Sequence, residues 1–244
     1  MSKTRSYILC TAPRSGSTLL CSLLRASGAA GVPESYFHLD SVADWARGLD
    51  LPEETPLPRV LAAARIEGDG GTGVFGLRLQ RGSVPFLMTQ LTELYPEAEG
   101  DAARMAAAFG ASVYVHLRRG DLLGQAISRV RAEQSGLWHR AADGSELERL
   151  APPAEPFYDR AALAAALAEG ERLNAGWEDW FAAEGIEPLR VTYEELSAAP
   201  GAVLARILAF IGSDPARAEG VQPGTSKLAD ALSGAWRARF LAGN

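Results

Sequence analysis

Residues 6–24 read SYILCTAPRSGSTLLCSLL. An apolar, strand-like run comes first. It is followed by the polar turn Pro13-Arg14-Ser15-Gly16-Ser17-Thr18, and then Leu19, Leu20, Leu23 and Leu24 return at helical spacing. A strand, a tight turn and a helix start are the setting of a phosphate-binding loop. Loop amides and first-turn amides of such a unit point outward unpaired, and the helix dipole adds positive potential, so the turn is an anion site. Gly16 lets the backbone approach a ligand closely. Ser15, Ser17 and Thr18 add hydroxyls, and Arg14 adds a permanent charge. The bland alternative is an ordinary helix N-cap at Ser15 or Ser17. The nucleotide signature G-x-x-x-x-G-K-[ST] is not met, because Thr11 stands at its first Gly and Ser17 at its Lys. No apolar strand ends in a clear Asp suited to Mg²⁺. A kinase or NTPase needs both the Lys and that Asp, so the expected anion is not a Mg-nucleoside triphosphate.

The chain has 244 residues, enough to bury a full core in one large domain. It is 47% hydrophobic and 22% charged, the balance of a soluble globular protein. A net charge of −6 argues against non-specific binding to nucleic acid or anionic membrane, while leaving room for a local basic pocket. Cys10 and Cys21 read as reduced core thiols, and no Cys/His cluster suggests a metal. No run of about 18 apolar residues predicts a membrane span, and the N-terminal apolar run is too short for a signal peptide. The expected compartment is the cytoplasm.

Short β-branched runs at 6–11, 73–79, 112–117 and 188–192 alternate with helical patterns at 17–28, 57–67, 84–95, 101–109, 121–135, 159–184, 201–212 and 227–241. That alternation predicts an α/β fold with a central, mostly parallel sheet flanked by helices. The stretches 48–58 and 140–157 carry three prolines each and read as loop excursions from a single domain, a lid or a substrate wall.

A second anion-binding candidate lies in SVYVHLRRGDLLGQAISRVRA, residues 112–132. The strand ends in Arg118 and Arg119, at the carboxyl edge where open α/β sheets bind ligands. Asp121 is placed to cap the next helix, and Ser128 lies about 10 Å along it. An Arg at the strand end and that Ser can grip one phosphate from two sides. The alternative is a pair of surface arginines beside an ordinary polar helix face. Two anion-binding strand ends suit a ligand with two separated anionic groups.

These residues resemble the PAPS-dependent sulfotransferases, more closely the bacterial branch that includes the trehalose 2-sulfotransferases. The 5′-phosphosulfate loop P-[KR]-S-G-[ST]-[TN] matches Pro13 to Thr18, and R-x-D-x-x-x-Q-A-x-S matches Arg119 to Ser128. W-x-x-W-F matches Trp177 to Phe181, P-x-x-V-x-Y matches Pro188 to Tyr193, and S-x-x-W-x-x-R matches Ser233 to Arg239. The resemblance implies a P-loop-like three-layer fold and metal-independent transfer of a sulfuryl group from 3′-phosphoadenosine 5′-phosphosulfate (PAPS) to a hydroxyl, in a carbohydrate or glycolipid. It implies that Arg14, Ser15, Gly16, Ser17 and Thr18 hold the 5′-phosphosulfate. Arg14 would neutralise charge on the bridging oxygen. Arg119, or Arg118 in its place, would hold the 3′-phosphate with Ser128. Lys227 is the further cation the resemblance suggests for that phosphate, a lone surface lysine being the alternative. A homodimer is also what the resemblance suggests.

The chain departs from the family at the base. The branch resembles G-x-P-x-E-[YF]-F, with that Glu as the proposed base, whereas here Gly31-Val32-Pro33-Glu34-Ser35-Tyr36-Phe37 puts Ser35 in its place. A one-residue shift in an extended segment points the side chain the other way, unless a local turn restores it. Glu34, His38 or another group therefore remains open as base. Alternation in FGLRLQ, residues 75–80, sets Arg78 where the branch carries Lys, beside the transferring group. His116 reads as a core histidine, and His139 beside Trp138 as a contact to a sugar acceptor or simple packing. A P-loop small-molecule kinase and a catalytically inactive anion-binding protein are the rival readings.

Overall fold

The computed structural model describes residues 5–141, 143–224 and 230–243. The chain runs β1 (Arg5–Thr11), α1 (Ser17–Ala26), α2 (Val42–Arg47), α3 (Leu57–Asp69), β2 (Val74–Gln80), α4 (Val84–Leu94), α5 (Asp101–Phe109) and β3 (Ser112–Arg118). It continues through α6 (Leu122–Ser135), β4 (Leu137–Arg140), β5 (Glu146–Arg149), α7 (Arg160–Ala183), β6 (Leu189–Thr192), α8 (Tyr193–Ala198), α9 (Pro200–Phe210) and α10 (Ala231–Leu241). Strands β2, β1, β3 and β6 form one parallel sheet in that order. The four expected strands are thus the four strands of the central sheet.

Alternating residues of β1 feed two separate cores. Ile8 and Cys10 pack with Trp45, Leu87, Phe109 and Trp177 on one face. Tyr7 and Leu9 pack with Leu20, Leu24, Leu204 and Ile207 on the other. A parallel sheet needs such cover on both faces, because its crossovers place helices on each side. The result is the three-layer α/β architecture expected from the sequence. No helix among the described residues is long and apolar enough to cross a membrane.

The structure differs from the sequence reading in three places. The stretch 140–157, read as loop, holds β5, which pairs antiparallel with β4 in a separate two-stranded sheet. Its sequence ELER carries no apolar alternation to announce a strand. Two six-residue helices, α2 and α8, were not expected, and both are fixed by caps. Ser41 accepts from the Asp44 N–H at 3.2 Å. Thr192 accepts from the Glu195 N–H at 3.2 Å while Glu195 accepts from the Thr192 N–H at 2.8 Å. This reciprocal pair satisfies two otherwise unpaired helix-start donors. Thr192→Ala is expected to lower stability by about 1 kcal/mol, read as a lower urea midpoint at unchanged slope. An unchanged midpoint would contradict the cap's contribution.

Candidate active site

The loop between β1 and α1 is anchored from two sides. The Thr11 carbonyl accepts from Trp177 Nε1 at 2.8 Å, and the Pro13 carbonyl accepts from Gln125 Nε2 at 2.6 Å. Within it Arg14 adopts φ 62° and Gly16 φ 91°, both in the left-handed region. A non-glycine residue there carries strain of about 1–2 kcal/mol, which these anchors hold in place at Arg14. At Gly16 a Cβ would lie 2.5 Å from Cδ2 of Tyr193, so only glycine lets that ring pack against the loop. Gly16 is the N-cap of α1, and no side chain caps that helix. The ordinary Ser15 or Ser17 cap is therefore not what the loop contains. Ser15 is fully buried, and its hydroxyl has no partner among the described residues.

Beside this loop lies a cavity of about 930 Å³, within the usual range of a ligand site. Gly16, Ser17, Thr18, Ser128 and Tyr193 help line it. Its wall also carries six arginines, Arg14, Arg119, Arg131, Arg140, Arg149 and Arg237, against three acids, Asp121, Glu155 and Asp230. That excess of cations, in a chain of net charge −6, marks the cavity as a site for an anion. The cations are held by specific partners. Arg14 Nε donates to Ser128 Oγ at 3.0 Å, and Nη1 donates to the Trp138 carbonyl and lies 3.2 Å from His139 Nε2. Burial, with Arg119 nearby, brings the Arg14 pKa down to about 10. An anion alongside would restore what burial costs that guanidinium.

Arg119 stacks over the Tyr193 ring at 4.7 Å and approaches Asp121 Oδ2 at 3.8 Å. Its Nε is buried without a hydrogen-bond partner among the described residues. Asp121 caps α6 as expected, accepting from the Gly124 N–H at 3.0 Å, and also pairs with Arg237. Arg118, the alternative to Arg119, is exposed at the end of β3 and does not line the cavity. Lys227 lies outside the described residues.

Arg78, Glu34 and Ser35 form a cluster behind Thr18. Arg78 donates to Ser35 Oγ at 2.8 Å and to Thr18 Oγ1 at 3.2 Å, and its Nη2 lies 3.4 Å from Glu34 Oε2. The other oxygen of Glu34 pairs with Arg25. Residue 34 bridges Leu77 of β2, and the chain turns immediately after it. Glu34 and Ser35 therefore reach the same guanidinium instead of pointing apart. Neither they nor Arg78 line the cavity. His38 is exposed, its Nδ1 2.9 Å from the Ser35 carbonyl, and it too is off the cavity wall.

Against the loop, His139 of β4 places Nε2 2.9 Å from Thr18 Oγ1, while Nδ1 faces Glu148 of β5. Sequence reasoning read His139 only as an acceptor contact or packing and Tyr193 only as the end of a family motif, and it did not single out Glu148. The aromatic neighbour Trp138 was the one signal for His139. Nothing in the sequence brings Glu148 to it. His116 is buried, its Nδ1 3.1 Å from Glu178, away from the cavity.

The residues present offer a ligand's anionic groups two sets of donors. The uncapped helix start and Arg14 form one anchor. The buried, unpartnered Arg119 Nε on the Tyr193 ring forms the other.

Comparison with known proteins identifies the family. The family model described as Stf0 sulphotransferase matches residues 6–243. A trehalose 2-sulfotransferase of Mycobacterium tuberculosis (strain Erdman) is 30% identical over 98% of this chain and 95% of the relative. The enzyme of that name from Mycolicibacterium smegmatis is 30% identical over 96% of this chain and 94% of its own. Among solved structures, a sulfotransferase from Alicyclobacillus acidocaldarius aligns with a TM-score of 0.46 at 17% identity, covering 99% of this chain and 93% of the other.

Proposed function

The chain belongs to the Stf0 sulphotransferase family and is a sulfotransferase; from that premise we propose that it moves the sulfuryl group of PAPS to a hydroxyl of a sugar. The observation that carries the reading is the pair of cations lining one cavity, Arg14 in the loop after β1 and Arg119 after β3. Arg14, Gly16, Ser17 and Thr18 bind the 5′-phosphosulfate, and the unpaired Arg119 Nε with Ser128 binds the 3′-phosphate. PAPS supplies an activated sulfuryl group. The protein supplies orientation and fixed positive charge where the bridging oxygen gains electrons. Ser15 is fully buried within the loop and does not line the cavity.

The names of the curated relatives make trehalose the first acceptor to try. PAPS labelled in its sulfur, incubated with trehalose or a panel of other mono- and disaccharides, is expected to give one labelled sugar sulfate and unlabelled PAP. Label transfer to no sugar, with label transfer to a phenol or a steroid, would contradict the carbohydrate assignment.

A further inference from the structure

The two ring nitrogens of His139 have different partners, and those partners fix its tautomer. Nδ1 lies 2.5 Å from Glu148 Oε2. A carboxylate only accepts, so Nδ1 carries the proton and Nε2 presents a lone pair. Around Nε2 the bonding is consistent with that. Arg78 donates to Thr18 Oγ1, which leaves the Thr18 hydroxyl free to donate to Nε2 at 2.9 Å, and Arg14 Nη1 adds an N–H at 3.2 Å. His139 is the one imidazole or carboxylate among the described residues with a hydrogen bond to Arg14 or Thr18. It lines the cavity, whereas Glu34 and His38 do not. Both oxygens of Glu34 face guanidiniums, those of Arg25 and Arg78. The family's carboxylate position holds Ser35, whose hydroxyl accepts from Arg78.

Resting on the sulfotransferase reading above, we propose that His139 is the general base for the acceptor hydroxyl and that Glu148 is the residue that positions it. The acceptor hydroxyl takes the place of the Thr18 hydroxyl as donor to Nε2. Nε2 takes its proton as the hydroxyl oxygen bonds to sulfur. The bond from sulfur to the bridging oxygen of the 5′-phosphate breaks, and its electron pair stays on that oxygen, releasing PAP. The imidazolium afterwards returns its proton to water. Arg14, bonded to the same nitrogen, meets the charge on the leaving oxygen.

The groups facing His139 are Arg14 from the loop, Thr18 from α1, Glu148 from β5 and, one hydrogen bond further, Arg78 from β2. Burial and then Arg14 hold the imidazole below its ordinary range, while Glu148 works in the opposite direction. The neutral base therefore persists to lower pH than an ordinary histidine. The rate is expected to fall only on the acid side of the ordinary imidazole range.

The test follows PAP release from PAPS, with trehalose and with water alone as acceptor, from about pH 5 to 8, together with calorimetric PAP affinity. His139→Gln keeps an acceptor oxygen for Thr18 and Arg14 and takes up no proton. It is expected to lose about 100-fold in kcat and the acid limb of the profile, with the PAP Kd within about threefold. Glu148→Gln is expected to keep the limb and move it further to acid, because the carboxylate that favours the imidazolium is gone. A His139→Gln enzyme that retains the acid limb overturns the proposal. So does a limb that disappears in Glu34→Gln instead. A wild-type protein that fails to bind PAP would count against the donor reading itself, which separates the two failures.

Discussion

Arg14→Ala is expected to lower kcat by about 1,000-fold, the scale found when a positioned donor to a developing oxyanion is removed. The side chain is held by Ser128, the Trp138 carbonyl and His139, so its position is set before the donor arrives. Its guanidinium, brought down to about 10 by burial and by Arg119, gains most when negative charge appears beside it. That gain is larger in the transition state than in the bound ground state, so the loss belongs in kcat more than in KM. Arg14→Lys is expected to recover part of the rate, because it restores charge without the planar fork that serves three partners. Single-turnover rates with preloaded PAPS check this. A rate within a few-fold of wild type in Arg14→Ala would remove Arg14 from the chemical step.

Arg119→Ala is expected to weaken PAP binding by about 10–100-fold, the equivalent of one or two charge-assisted hydrogen bonds in a buried site. Affinity for 5′-AMP, which lacks the 3′-phosphate, is expected to stay nearly constant. The loss is thus one of discrimination more than of overall binding. The buried Nε without a partner and the stacking on Tyr193 carry this expectation. Arg118→Ala is the matched comparison, because its exposed side chain sits off the cavity wall. Equal losses for PAP and 5′-AMP in Arg119→Ala, or a selective loss in Arg118→Ala, would contradict the assignment. A thermal melt of each variant separates this from lost folding, since Arg119 also packs on Tyr193.

The central sheet was legible because the buried middles of β1, β2 and β3 carry short apolar, β-branched runs between helical patterns. The loop between β1 and α1 was legible for a different reason. A strand, a polar turn with Gly16 and an apolar helix form one contiguous string, so local sequence carries the whole geometry. Asp121 as cap of α6 followed from the same kind of local signal. The hairpin of β4 and β5 was not legible. Four-residue strands are too short to show alternation, LWHR and ELER share no apolar pattern, and their place against the loop depends on a long-range approach. His139 was therefore read only as an acceptor contact or packing, and its pairing with Glu148 was missed. Ser35 was read as a departure from the family, and the turn after Glu34 that brings both side chains to Arg78 has no signature in the residues themselves. The different settings of Arg118, exposed, and Arg119, lining the cavity, were also not legible, because adjacent residues at a strand end diverge by backbone geometry alone.

Calorimetric titration with PAP, 5′-AMP, ADP and ATP, each with and without Mg²⁺, tests the donor site most directly. Micromolar binding of PAP that does not depend on Mg²⁺, with 5′-AMP much weaker, is the expected result. Tighter binding of ATP in the presence of Mg²⁺ than of PAP would contradict it and return the site to a kinase-like transferase.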